Sequence, residues 1–192
     1  MSQAEVWILD GWLGSPWRLQ PLARHLNRAG LPCRLWDYDS SGRSSFQSLA
    51  TDLAFALKDG TAPIRLVGFS MGGIVIRTAL LEHPQLPVHR AVFLNSPHQG
   101  TLWAHLGYHP ALRDLRPNTP FLQALNRQPL PIPHLNVWCP GDTVVVPSHR
   151  SRLPGATRER LCLPPIHPWP LLSPNLHREV ASFLQTENAA FS

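Results

Sequence analysis

Ile64-Arg65-Leu66-Val67-Gly68-Phe69-Ser70-Met71-Gly72-Gly73 is the stretch on which the reading of this chain turns. Its first four residues, apolar but for Arg65, predict a strand, and Gly72 to Leu81 has the pattern of a helix. Between them lies Gly-x-Ser-x-Gly. A strand-to-helix turn of this kind strains the serine backbone and puts Ser70 Oγ at the carboxyl end of the sheet, while Gly68 and Gly72 remove side chains that would collide. The Met71 backbone N–H then points to the same spot. Ser70 is thus the candidate nucleophile, and it requires a base and an orienting acid elsewhere in the chain.

Working outward, the same alternation repeats. Val6 to Leu9 is an apolar run closed by Asp10-Gly11, and Leu19, Leu22, Ala23 and Leu26 recur at helical spacing from Pro16 to Arg28, with Gly30 as the stop. Cys33 to Tyr38 predicts a strand, and Ser45 to Leu57 a helix ended at Gly60. Beyond the opening stretch, Val88 to Leu94 and Leu135 to Cys139 predict strands, with a further short one at Arg160 to Leu163. Asn175 to Leu184 predicts a closing helix. This order predicts an α/β fold with a mostly parallel central sheet, helices on both faces and right-handed crossovers. The 192 residues fit a single domain over residues 1–192. Residues 102–133 read as an irregular Pro-bearing insertion with one helix, Phe121 to Asn126, and as a partial cap.

Composition narrows the partners. The formal net charge is +5, but the arginines are scattered from Arg18 to Arg178 without a basic run, which argues against nucleic acid as a ligand. Cys33, Cys139 and Cys162 have neither the spacing of a metal site nor the even number of a disulfide framework, and read as reduced core cysteines. No apolar run reaches the roughly 18 residues of a membrane span. The first residues, Met1-Ser2-Gln3-Ala4-Glu5, lack the basic start of a secretory leader, so a cytoplasmic location is expected. Oligomeric state is not specified by any of these features.

In a sheet of this kind the base follows the acid, which follows the nucleophile. His149, His167 and His177 come late enough. His167 falls on a loop between the last strand and the closing helix, at the carboxyl edge, whereas His177 sits within the helix and reads as a surface residue. Asp142 follows a strand through the turn Pro140-Gly141 and reaches the same edge, in position to accept the Nδ1 proton of His167. Asp114, in the irregular segment, is the rival acid.

The chain resembles the compact bacterial lipases and esterases of the α/β-hydrolase fold that lack a large lid. The likeness is carried by Val67-Gly68-Phe69-Ser70-Met71-Gly72-Gly73, by Asn95-Ser96-Pro97-His98-Gln99-Gly100-Thr101 and by Asp142-Thr143-Val144-Val145. It continues through Ser151-Arg152-Leu153-Pro154-Gly155-Ala156 and His167-Pro168-Trp169-Pro170-Leu171-Leu172. The resemblance implies a minimal α/β-hydrolase fold and, independently of the positional argument, Asp142 and His167 as acid and base. It also implies a second oxyanion donor on the loop after the first strand, where Asp10-Gly11-Trp12-Leu13-Gly14 stands in place of the family's His-Gly pattern, making Trp12 N–H the partner of Met71 N–H. Asp10 departs from that pattern. A carboxylate near a developing oxyanion opposes catalysis unless it is turned away or paired, and bonding to loop amides or to an arginine such as Arg43 is the expected role. His98 matches a structural position near the substrate pocket; with Trp12, it is a candidate pocket residue.

The expected activity is hydrolysis of carboxylic esters through an acyl-enzyme on Ser70, needing no metal and no organic cofactor. The substrate expected is a small-molecule or lipid ester. A thioesterase or acyltransferase on the same residues, and a catalytically silent binding protein of the same fold, remain as alternatives.

Overall fold

The computed structural model describes residues 5–58 and 63–186. Six strands form one all-parallel sheet: β1 (Glu5–Leu9), β2 (Cys33–Leu35), β3 (Ile64–Phe69), β4 (Val88–Leu94), β5 (His134–Trp138) and β6 (Arg158–Leu161). Their order across the sheet is β2-β1-β3-β4-β5-β6. From β1 the chain steps outward to β2, returns across β1 to β3, and then proceeds steadily to the other edge. The two directions part between β1 and β3, and a crevice opens at the carboxyl ends of strands where an α/β sheet reverses direction in this way. The loop after β1 and the turn after β3 flank that crevice.

Side chains alternate across the strands and feed two cores. On β1, Val6 and Ile8 point to one face and Trp7 and Leu9 to the other; on β3, Val67 and Phe69 oppose Leu66. One face is covered by α1 (Pro16–Arg28) and α6 (Pro174–Gln185), the other by α2 (Phe46–Leu57) and α3 (Met71–Glu82). Helix α1 carries proline in its first turn, where the absent N–H costs no hydrogen bond. Ser45 caps α2 by accepting from Ser48 N at 3.1 Å, and Ser173 caps α6 by accepting from Leu176 N at 3.4 Å.

Several boundaries differ from the sequence expectations. Strand β2 stops at Leu35 rather than Tyr38, because beyond Trp36 N, which donates to Ile8 O at 3.0 Å, the chain leaves the sheet edge. Strand β6 runs over Arg158–Leu161, two residues ahead of the expected position, and all four of its residues are exposed. As an edge strand it lacks the apolar signature of a buried one. Residues 102–133 are less irregular than expected: a 3₁₀ turn (Leu102–Leu106) and two helices, α4 (Pro110–Asp114) and α5 (Pro120–Arg127), fill much of the segment. His177 is buried, not on the surface, with its ring 5.5 Å from that of His25 on α1. The expected helix stop at Gly60 lies outside the described residues. No helix among the described residues is long and apolar enough to cross a membrane.

Candidate active site

The turn at Ser70, the candidate nucleophile, is built from close backbone approach. Ser70 has φ 52° and ψ −121°, between the end of β3 and the first residue of α3. A non-glycine residue in such a conformation costs on the order of 1–3 kcal/mol and persists only where its surroundings fix it. They do so here: Ser70 N donates to Leu94 O at 2.8 Å. A Cβ on Gly68 would lie 2.5 Å from Gly73 Cα, and one on Gly72 would lie 2.5 Å from Asp10 O. The loop after β1 crosses over the serine, where a Cβ on Gly11 would stand 2.7 Å from Ser70 Cβ.

Asp10 is buried, and its carboxylate is turned back into that loop. Oδ1 accepts from Gly11 N at 2.6 Å and from Arg18 Nη2 at 3.0 Å, while Oδ2 accepts from Ser15 N at 2.9 Å and Arg18 Nε at 3.1 Å. The arginine is thus Arg18 on α1, not Arg43. The backbone carbonyl of Asp10 is held by the Tyr38 hydroxyl, which donates to it at 2.5 Å. Burial, and next to it the charge of Asp10, keep that phenol protonated far above its ordinary range. The loop is therefore fixed from three sides, and among the described residues neither Trp12 N–H nor Met71 N–H is used in a hydrogen bond.

The loops that carry Asp142 and His167 meet at the same edge. After β5, the turn through Gly141, with φ 81°, returns Asp142 N to Cys139 O at 3.1 Å. Asp142 is buried; Oδ1 accepts from Val144 N at 2.7 Å and Val145 N at 3.2 Å, and Oδ2 lies 2.6 Å from His167 Nδ1. With one oxygen held by loop amides, the other is aimed at the imidazole, which fixes the tautomer that leaves Nε2 to accept a proton. The His167 ring packs against Phe69, centroids 4.9 Å apart. No hydrogen bond closes between His167 Nε2 and Ser70 Oγ; such bonds are commonly long before substrate arrives. Of the other candidates, His149 sits in a 3₁₀ turn beside a separate surface pocket with Gln99 and Arg152, and Asp114 is on α4, where burial raises its carboxyl above the usual range.

A cavity of about 510 Å³ opens above Ser70 and Met71. Trp12, Trp103, Leu106, Leu112 and Val144 form much of its wall, and no carboxylate lines it. Trp12 is held by its indole, which donates to Ser41 O at 2.9 Å, and Trp103 by donation to Thr143 O at 2.8 Å. His98 does not line the cavity, against expectation. It is fully buried, edge-on to Phe93 at 5.1 Å, and burial first, then the charge of Arg77, push its imidazole well below the ordinary value of 6.5. Its neighbour Pro97 reaches the cavity instead. Sequence reasoning missed Leu106, Leu112 and Val144 as wall residues. Their apolar character was visible, but nothing local showed which surface they face.

A family model described as Hydrolase_4, serine aminopeptidase S33, matches residues 1–128. The chain belongs to this family. The matched part holds the turn at Ser70 and the loop after β1, whereas Asp142 and His167 lie beyond it. Solved structures extend the likeness over nearly the whole chain. The mature lipase BlEst2 of Bacillus licheniformis has a TM-score of 0.76 at 18% identity, over 96% of this chain and 93% of that one. A pyrethroid hydrolase from Sphingobium faniae JZ-2 gives 0.63 at 15% identity, over 95% and 97%. A bromoperoxidase from Bacillus anthracis gives 0.67 at 16% identity, over 96% and 93%. A search of curated proteins finds no match to the sequence. At these identities the neighbours establish the shared α/β-hydrolase fold.

Proposed function

We propose that this α/β-hydrolase cleaves carboxylic esters with neutral, apolar acyl groups, using Ser70 as nucleophile, His167 as base and Asp142 as the acid that orients it. The 2.6 Å contact of His167 Nδ1 with Asp142 Oδ2 carries the reading, because it prepares Nε2 for proton transfer at the sheet edge where the strained serine stands. Ser70 Oγ attacks the ester carbonyl as its proton passes to His167 Nε2, and the oxyanion falls to the N–H groups of Trp12 and Met71. Collapse of the tetrahedral intermediate expels the alcohol, which takes the proton back from His167. Water, activated by the same imidazole, releases the acid. Oxyanion donors of this kind are worth about 3 kcal/mol each.

The lining of the cavity supports an ester over an aminopeptide substrate. A free amino terminus calls for a buried carboxylate to pair with it, and none lines the cavity. A lipid ester is favoured further by the rim: Trp12, Trp103, Leu106 and Tyr108 are all exposed, Leu106 and Tyr108 at 78% each. Clustered exposed apolar residues at a site mouth mark an interaction surface.

The test is labelling with a fluorophosphonate probe alongside turnover of p-nitrophenyl esters of increasing chain length. Labelling and turnover should both disappear in Ser70→Ala and fall at least about a thousandfold in His167→Ala. A folded parent protein that neither labels nor turns over any ester sinks the proposal.

A further inference from the structure

The three loops that carry Ser70, Asp142 and His167 all attach to one place, the carboxyl end of β4. Leu94 O accepts from Ser70 N at 2.8 Å, and the next residue, Asn95, donates its own N–H to Val137 O on β5 at 2.8 Å. The Asn95 side chain does the rest. Its Oδ1 accepts from Cys139 N at 2.9 Å, at the start of the turn leading to Asp142, and its Nδ2 donates to His167 O at 2.7 Å and to Cys139 Sγ at 3.3 Å. Asn95 is fully buried and has φ 47°. One carboxamide thus spans the gap between the loop of Asp142 and the loop of His167, beside the Asp142 to His167 contact itself.

We propose that Asn95 is a positioning residue that sets the His167 imidazole relative to Asp142 and Ser70 by fixing the His167 backbone to the end of β5. The assignment rests on the reading of Ser70, Asp142 and His167 given above. A carboxamide suits the task because it offers a donor and an acceptor in one plane. An asparagine also tolerates positive φ, so a purely backbone role has to be separated from a side-chain role.

Two variants make that separation. Asn95→Gly keeps the backbone free to hold φ 47° and removes the clamp. Asn95→Asp keeps the shape; its carboxyl, when protonated, can donate to His167 O and accept from Cys139 N, but when ionised it sets two oxygens against each other. The titratable groups around that side chain are the Cys139 and Cys162 thiols, with Asp142 and His167 beyond them. The expected result is a loss of roughly 10- to 100-fold in kcat/KM for Asn95→Gly, assayed well below a melting temperature that falls because Cys139 N–H and His167 O lose their partner. For Asn95→Asp, kcat/KM relative to the parent should be near parity at low pH and fall as pH rises.

A second readout needs no turnover. The low-field proton resonance of His167 Nδ1–H, assigned by its absence in Asp142→Asn, should broaden into solvent exchange in Asn95→Gly. Loss of that resonance in Asn95→Gly, when the parent shows it but hydrolyses no ester, would support the clamp and reject the ester reading. A resonance unchanged in Asn95→Gly, or kcat/KM within threefold of the parent, overturns the clamp. Should Asn95→Gly not fold, the Asn95→Asp series decides, and a ratio that is flat with pH overturns it.

Discussion

At Asp10, a carboxylate that would harm an oxyanion site is made harmless by direction. Both of its oxygens are spent on Gly11 N, Ser15 N and the Arg18 guanidinium. Removing them strands buried N–H groups and releases the loop that carries Trp12. Asp10→Ala should therefore lower stability by about 2 kcal/mol, read from urea unfolding, and slow turnover as well. Asp10→Asn keeps acceptor capacity for one amide and should change turnover by less than about tenfold. A large gain in rate for Asp10→Asn would mean that the charge reaches the reacting carbonyl after all. Asp142→Asn keeps the shape but offers an N–H to the imidazole, and kcat should fall roughly ten-thousandfold through the wrong tautomer. Ser70, Asp142 and His167 were legible as candidates because each stands in a local setting, a turn after a strand, that the sequence spells out. The depth of His98 and the reach of Asn95 were not, since both depend on what β5 and α5 bring across from distant parts of the chain. Asn126 on α5, for instance, donates to His98 O at 3.1 Å.

Among the elements, α3 is the one placed most tightly. Its first turn presses on β1 and on the end of β4, where a Cβ on Gly73 would sit 1.9 Å from Ser96 Oγ. Gly73→Ala should destabilise by about 3 kcal/mol or more, measured as a drop in the urea midpoint, and the displaced helix should carry Ser70 with it. At its middle α3 is tied to α5 by Arg77, which is buried and donates to Asn126 Oδ1 at 2.7 Å and Leu125 O at 2.8 Å. The guanidinium therefore closes the carboxyl end of α5, where a positive charge is favoured. The strands and long helices were readable from periodicity because each buries a continuous apolar face. The exposed edge strand β6 was displaced, and α4, one and a half turns long, was missed. Five residues offer too short a pattern, and Leu112 finds its place against Gly107, Gly42 and the cavity wall.

Across the whole molecule, acid sensitivity follows from histidines kept neutral. His98, His134 and His177 are all lowered from the ordinary value of 6.5, chiefly by burial. The unfolded chain takes up protons at these sites as pH falls through about 6.5, while the folded one resists until lower pH. Protonation thus favours the unfolded state, and stability declines on the acid side of 6.5 by up to about 1.4 kcal/mol per pH unit for each such histidine. The melting temperature should drop steadily between pH 7 and pH 5, and less steeply in His177→Leu; a flat profile would mean that these rings are hydrated in the folded state. The sheet itself has a further consequence for how variants combine. Its backbone divides the apolar interior into an α2/α3 side and an α1/α6 side that share few side-chain neighbours. Ile74→Val on one side and Val180→Ala on the other should add to within about 0.5 kcal/mol, so the two halves can accumulate change with little epistasis. Epistasis should concentrate instead along the carboxyl edge, where β1, β3, β4 and β5 hand their last residues to a single site.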